Sequence, residues 1–308
     1  MKKTLFLCIM IFVFVNVIAC FHAYKFTHYA LGAAAFPKNP EKMGFSQKLE
    51  SILFGVDLPR PVNNQVPKRK FETVRINDKN LECWEIPVEN AIGTVLLFHG
   101  YGNRKSGMLD RSGEFNTMGY NTVLLDFTGS GGSTGNTTTI GYKEGAEVKM
   151  CYDYYKQKYP DKPLILMGTS MGAAAILKCI NDYEIKPNAI ILECPFGTMY
   201  KTVCNRFDAM QVPSFPMAGL LVFYGGIMNG FWAFEHNPID YAKKVKCPAL
   251  LMSGGSDERV SLQEIDAIYD NFQGVKQKII YPLSGHESYL HKYAAEWRHD
   301  VDCFLEGK

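Results

Sequence analysis

Short apolar runs recur along most of this chain, each followed by a stretch of mixed polarity. Residues 93–98, 122–125, 163–167, 190–192, 247–252 and 278–281 are apolar almost without interruption. Runs this short and this continuous predict strands buried on both faces. Residues 141–159, 171–183, 261–272 and 288–305 carry apolar positions at helical spacing. Strands alternating with helices predict a parallel sheet covered by helices. Earlier, residues 71–76 and 81–88 alternate around Asn77-Asp78-Lys79-Asn80, which predicts an antiparallel hairpin opening the sheet.

The first residues follow a different rule. Lys2 and Lys3 precede an apolar stretch over residues 5–21, broken only by Asn16. Residues 1–23 therefore read as a signal peptide or a membrane-spanning anchor. Val17-Ile18-Ala19-Cys20 resembles a bacterial lipoprotein cleavage box, so a lipidated Cys20 and an uncleaved anchor stand side by side. In both cases the rest of the chain is expected to face away from the cytoplasm if the two lysines stay inside. Residues 24–69 read as a linker, with a short helix over 46–53 and an extended part marked by Pro59, Pro61, Asn63, Asn64 and Pro67. Lys68-Arg69-Lys70 reads as a solvated strand start.

The chemistry concentrates where one predicted strand meets one predicted helix. Gly168-Thr169-Ser170-Met171-Gly172 lies between the 163–167 run and the 171–183 helix. A G-x-S-x-G at such a junction is a nucleophile elbow, and it places Ser170 above the sheet edge at a helix N-terminus. Two further strand ends carry the partners a serine needs. Asp257 follows the 247–252 strand in a Gly-rich loop, and His286 follows the 278–281 strand. A serine hydroxyl needs a neighbouring base, and imidazole titrates near neutrality. The imidazole needs a carboxylate to fix its tautomer. The order Ser, Asp, His is the chain order of this elbow's triad. Glu193, at the end of the 190–192 strand, is a rival acid. His99-Gly100-Tyr101-Gly102 follows the 93–98 strand and supplies a loop amide for an oxyanion hole, assigned to Tyr101 with Gly102 as the alternative, beside that of Met171. His99 itself reads as a buried histidine bonded to neighbouring loops.

Composition narrows the picture. Of 308 residues, 47% are hydrophobic, enough for a large covered sheet, and the net charge of +2 gives no electrostatic reason to bind nucleic acid. Gly129-Ser130-Gly131-Gly132 lacks both the phosphate-loop ending and the dinucleotide spacing. No Cys/His cluster has zinc spacing, so neither metal nor cofactor is expected. The nine cysteines show no paired spacing; one disulfide in an exported chain would fit, without a choice of partners.

These motifs together resemble the α/β-hydrolase superfamily, in particular its small-cap, lysophospholipase-like and serine-aminopeptidase-like bacterial branch. The matching segments are His99 to Gly102, Asp126 to Gly135, the elbow at Ser170, Gly255-Ser256-Asp257 and Gly285-His286. Family members usually carry Arg, and often His, where this chain has Thr128 and Ser130. The resemblance implies an α/β-hydrolase fold over residues 70–308, with a mostly parallel, eight-stranded-type sheet flanked by helices and a small helical cap inserted at about 195–245. It implies a membrane-associated serine hydrolase that cleaves a small-molecule ester or lipid-like substrate through an acyl-enzyme. The cap's Met210, Val212, Phe215, Pro216, Met217, Leu220, Leu221, Phe223, Tyr224, Ile227, Met228, Phe231, Trp232 and Phe234 are expected to form an apolar lid over Ser170, bending near Gly225-Gly226 and Gly230. Two alternatives remain: a peptidase or amidase on the same triad, whose cap would need more acids than Asp208 and Glu235, and a non-catalytic binding module anchored at the membrane.

Overall fold

The computed structural model describes residues 2–32, 53–78 and 80–307. Its centre is one eight-stranded sheet: Glu72–Ile76 (β1), Leu81–Ile86 (β2), Gly93–Phe98 (β3), Tyr120–Asp126 (β4), Leu164–Thr169 (β5), Ala189–Glu193 (β6), Ala249–Gly254 (β7) and Lys276–Tyr281 (β8). The spatial order is β1-β2-β4-β3-β5-β6-β7-β8. β1 and β2 pair antiparallel, β2 runs antiparallel to β4, and every later pair is parallel.

Side chains of the central strands alternate between two cores, as the pleat requires. Leu96 and Phe98 face one core with Val148 and Cys151 of the helix Glu144–Lys158 and the Ala173 to Ile180 stretch of the helix Met171–Tyr183. Val95 and Leu97 face the other, with Phe115 of the helix Leu109–Thr117 and Trp297 of the helix Leu290–Leu305. The helix Leu262–Asn271 begins on a capping box between Ser261 and Glu264. The helix Leu109–Thr117 is absent from the sequence reading. Its Arg-Ser-Gly centre has weak helix propensity, and the ring of Phe115 edge-on to Trp297, 5.6 Å between centroids, holds it in place.

Over the C-terminal edge of the sheet sits a cap built on the helices Met199–Ala209 and Met217–Met228. The N-terminal helix Lys2–Thr27 packs on the second of these. Its buried positions are Ala19, Ala23 and Thr27, each four residues from the next; the cap helix buries Ala218, Leu221, Val222, Gly225 and Gly226, and a Cβ on Gly225 would lie 3.8 Å from Thr27 Cγ2. Small residues at that spacing let two helix backbones approach closely.

The structure adds to two expectations for this region, and a third lies outside the described residues. The first helix continues past residue 23 to Thr27, and residues after it are stitched onto the sheet domain: Tyr29 donates its amide to Asn136 O at 2.6 Å and Ala30 bridges to Pro59. The glycine pair Gly225-Gly226 lies inside a helix, where a Cβ on Gly226 would come 2.6 Å from Phe231 O, so close packing and not bending explains it. The short helix expected over 46–53 lies almost wholly outside the described residues.

Arg60, from the same early segment, explains the departure at Thr128 and Ser130. Its guanidinium reaches into the loop after β4 and donates to Gly135 O at 3.0 Å, to Gly131 O at 2.9 Å and to Ser133 O. An arginine from another part of the chain thus satisfies carbonyls that the loop's own residues leave open.

Candidate active site

Ser170 occupies the turn between β5 and the helix Met171–Tyr183 with φ 50° and ψ −110°. A non-glycine residue held at positive φ is strained, and the surrounding contacts fix it there. Its amide donates to Glu193 O at 2.7 Å and its carbonyl accepts from Ala174 N at 3.0 Å. The two flanking glycines make the turn sterically accessible. A Cβ on Gly168 would come 2.5 Å from Gly172 C, and one on Gly172 would run into Phe98 O.

Three of the residues singled out in the sequence meet at this edge. His286 Nε2 lies 3.0 Å from Ser170 Oγ, and His286 Nδ1 lies 2.8 Å from Asp257 Oδ2. Asp257 Oδ1 accepts the amides of Arg259 and Val260 at 2.8 and 3.0 Å. Those bonds orient a carboxylate whose side chain is completely shielded from solvent. Burial pushes the Asp257 carboxyl up, but the His286 ring and the two amides outweigh it and hold its pKa below the usual carboxylate value. Burial works against a charged His286, yet the Cys194 sulfur and the Asp257 carboxylate raise the imidazole pKa to about 10.

The rival acid is engaged elsewhere. Glu193 pairs with Arg111 Nη2 at 2.5 Å and accepts from Trp297 Nε1 at 2.8 Å. Arg111 also pairs with Asp110 at 2.8 Å, so these three charges form one network beneath the cleft.

Two loop amides were candidates for the oxyanion hole beside Met171. The amide of Gly102 donates to the Tyr29 hydroxyl at 3.1 Å, which leaves Tyr101 as the loop's candidate. Met171 is the first residue of its helix, so its amide has no intrahelical partner. Gly100 lines the approach, with an added Cβ 3.6 Å from Ser170 Cβ. The Tyr101 hydroxyl donates to Phe26 O at 2.7 Å. The end of the first helix and the residue Tyr29 beyond it therefore brace this loop directly, a link that sequence spacing could not reveal. His99 is fully buried, accepting from Phe127 N at 3.2 Å with Nδ1 2.8 Å from Gly100 O, as expected of a structural histidine.

The cleft over Ser170 encloses about 410 Å³. Met108, Phe196, Thr202, Arg206, Val260 and His291 are among its walls. None of the cap's expected lid residues, from Met210 to Phe234, lines it. Several of them face outward: Phe215 is 85% exposed and Trp232 50%. The apolar density of the cap therefore does not translate into an apolar pocket wall. Cys194, on the cleft wall, was read from sequence only as a buried thiol. Among the described residues, Cys194, Asp257 and His286 are the one group of thiol, carboxylate and imidazole close enough to share a cation, with ligand atoms within 4.8 Å of one another. The Asp257 and His286 atoms in that group are already bonded to each other.

Comparison with known proteins agrees with this fold. The family model described as serine aminopeptidase, S33, matches residues 89–221. The uncharacterized protein YqkD of Bacillus subtilis is 23% identical over 246 residues, covering 79% of this chain and 81% of its own length. The lysophosphatidylserine lipase ABHD12 of Danio rerio is 25% identical over 232 residues, 70% of this chain, and the chain spans only 58% of that lipase. The Pyrococcus furiosus esterase Pf2001 superposes with a TM-score of 0.68 at 24% identity, covering 82% of this chain and 97% of the esterase, a likeness of fold. Sheet order, strand-edge elbow and structural likeness converge on one assignment: the chain has the α/β-hydrolase fold, and over residues 89–221 it is similar to the serine aminopeptidase family.

Proposed function

We propose that this chain is a serine hydrolase that cleaves carboxylic esters through an acyl-enzyme, tethered to a membrane by its first helix. The observation that carries the reading is the unbroken bond path from Ser170 Oγ through His286 to Asp257. His286 Nε2 accepts the Ser170 proton as Oγ attacks the ester carbonyl. The imidazolium is stabilised by Asp257. The amides of Met171 and Tyr101 receive the oxyanion, a contribution worth about 10²- to 10³-fold in rate per donor. His286 returns the proton to the departing alcohol, and water then releases the acyl group by the reverse sequence. An ester rather than an aminoacyl amide is favoured by the state of the cleft's acids. A substrate amine needs an available carboxylate, whereas Asp110 and Glu193 are paired with Arg111 and Glu287 with Lys292. Turnover of short p-nitrophenyl esters against the matching anilides tests this. Ester cleavage lost in Ser170→Ala supports the reading; faster cleavage of the anilides contradicts it.

The tether reading rests on the helix Lys2–Thr27, which is long and apolar enough to cross a bilayer. Most of its side chains from Leu5 to Phe21 are exposed on the protein. The Tyr224 hydroxyl donates to Asn16 Oδ1 at 2.8 Å. Asn16 lies five residues before the end of the apolar stretch, about 7 Å along the helix axis. If the helix spans, Tyr224 sits at membrane depth with it, and the exposed apolar side chains of the cap face lipid. The bond of Asn16 to the cap's Tyr224 favours an uncleaved anchor, since lipoprotein processing before Cys20 would remove both Asn16 and the buried Ala19. With Lys2 and Lys3 inside, the hydrolase domain lies on the exported side.

A further inference from the structure

Two arginines face the Ser170 cleft, and among the described residues neither guanidinium meets a carboxylate. Arg206 and Arg259 both line the cavity. The acids around them are already engaged: Asp110 and Glu193 with Arg111, Glu287 with Lys292, and Asp257 with His286. Arg206 instead lies over two aromatic faces, 5.2 Å from the Tyr101 ring centroid and 5.9 Å from that of Phe26. Such stacking fixes the plane of a guanidinium but does not use its five N–H donors. Burial, and the nearby positive charge of Arg259, both press the Arg206 pKa below its usual value. Two like charges drawn together in a cleft, with no internal counter-charge, favour any anion that can reach both.

The backbone holds the pair in place. The helix Met199–Ala209 presents Thr202 and Arg206, four residues apart, to the same cavity. Arg259 follows Asp257 by two residues and gives its amide to that carboxylate. Asn205, beside Arg206, donates to Arg259 O and to Glu264 Oε2, both at 3.0 Å. The cap helix and the loop of the triad acid are thereby joined next to the two guanidinium groups.

We infer that Arg206 and Arg259 form a recognition site for an anionic group, phosphate or carboxylate, carried by the ester that Ser170 attacks. The inference rests on the ester-hydrolase reading and adds the class of substrate. Planar guanidinium forks suit the paired oxygens of either group. The substrate would then lie with its carbonyl at Ser170 and its charge toward the cap, and a neutral ester of the same chain would leave the partly buried Arg206 without a counter-charge.

The test uses the full-length chain in detergent and three glycerol esters of one acyl chain: a neutral one, one bearing a phosphate and one bearing a carboxylate. The expected result is a preference, read as kcat/KM, for at least one anionic ester of about tenfold or more. Arg259→Gln, at an exposed position, and Arg206→Gln should each lower kcat/KM for the charged ester far more than for the neutral one, with the loss falling mainly in KM. The favoured arm identifies phosphate or carboxylate. Equal rates on all three esters would overturn the inference, as would variants that slow charged and neutral esters alike, the signature of a purely structural role. A readout independent of turnover separates this from the ester reading. Calorimetric titration of inorganic phosphate into the native chain should show binding that Arg259→Gln weakens about tenfold. Unchanged binding in the variant would contradict the site even if no ester were cleaved.

Discussion

The Tyr224 hydroxyl and the Asn16 side chain, 2.8 Å apart, join the cap to the apolar helix that begins the chain. The cap's outward apolar residues then belong to the same surface as that helix. Trp84 and Trp297 are buried in the hydrolase domain, whereas Trp232 on the cap is half-exposed. In vesicles whose acyl chains carry bromine, Trp232 should therefore account for the quenched part of the emission. Replacing it by Trp232→Phe should abolish that part. Quenching that persists unchanged in the variant would place the cap away from lipid.

The second expectation separates the two candidate acids. Asp257→Asn should lower kcat by about 10³- to 10⁴-fold, because the amide favours the wrong imidazole tautomer. Glu193→Gln should act differently. It leaves Arg111 with a weakened partner in a buried network, so the loss appears first in thermal stability. Steady-state kinetics beside melting curves of both variants check this, and an Asp257→Asn enzyme of full activity would shift the acid role to Glu193.

Proton linkage gives the third. The base must be neutral to accept the serine proton, and the His286 pKa is raised. The rising limb of kcat/KM against pH should therefore lie above the ordinary imidazole value of about 6.5. Cys194→Ala removes one of the two groups that favour the charged ring, and should move the limb to lower pH. The stability gained from the charged ring is complete below about pH 6.5 and fades as pH rises through the folded-state value. A pH profile identical in the wild type and Cys194→Ala would remove Cys194 from the account.

A fourth concerns the scaffold. Lys105 is fully buried, pairing with Asp126 and with Glu82 at 2.8 Å, and it lies 4.5 Å from the centre of the Trp84 ring. Lys105→Ala leaves the buried Asp126 carboxylate without its cation, while Glu82 keeps Arg75, a loss of about 3–5 kcal/mol. Lys105→Met with Asp126→Asn should recover part of it, since fewer unpaired charges remain. Denaturant unfolding of the two variants measures the difference, and equal stability of the single variant and the wild type would refute it.

The sheet was legible because its parallel strands are buried on both faces and therefore appear as uninterrupted apolar runs. The elbow was legible because the turn at Ser170 admits only glycine at positions 168 and 172. Asp257 and His286 could be located because each follows a strand whose end lies at the same sheet edge. Other features depend on residues far apart in sequence. Arg206, Arg259 and Cys194 carry no local signal of their role, since each becomes significant only through the neighbours that folding brings. The same is true of Arg60, which serves a loop some 70 positions later. The cap shows a different limit. Apolar density indicates that side chains avoid water; it does not say whether a pocket interior or a lipid surface covers them.

The central claim is that Ser170 is the nucleophile, activated by His286. The most direct measurement is peptide mass spectrometry of the full-length chain after reaction with a fluorophosphonate. The account predicts a single phosphonyl adduct on the peptide containing Ser170, absent in Ser170→Ala and strongly slowed in His286→Ala. An adduct on another residue, or undiminished labelling of Ser170→Ala, would contradict it.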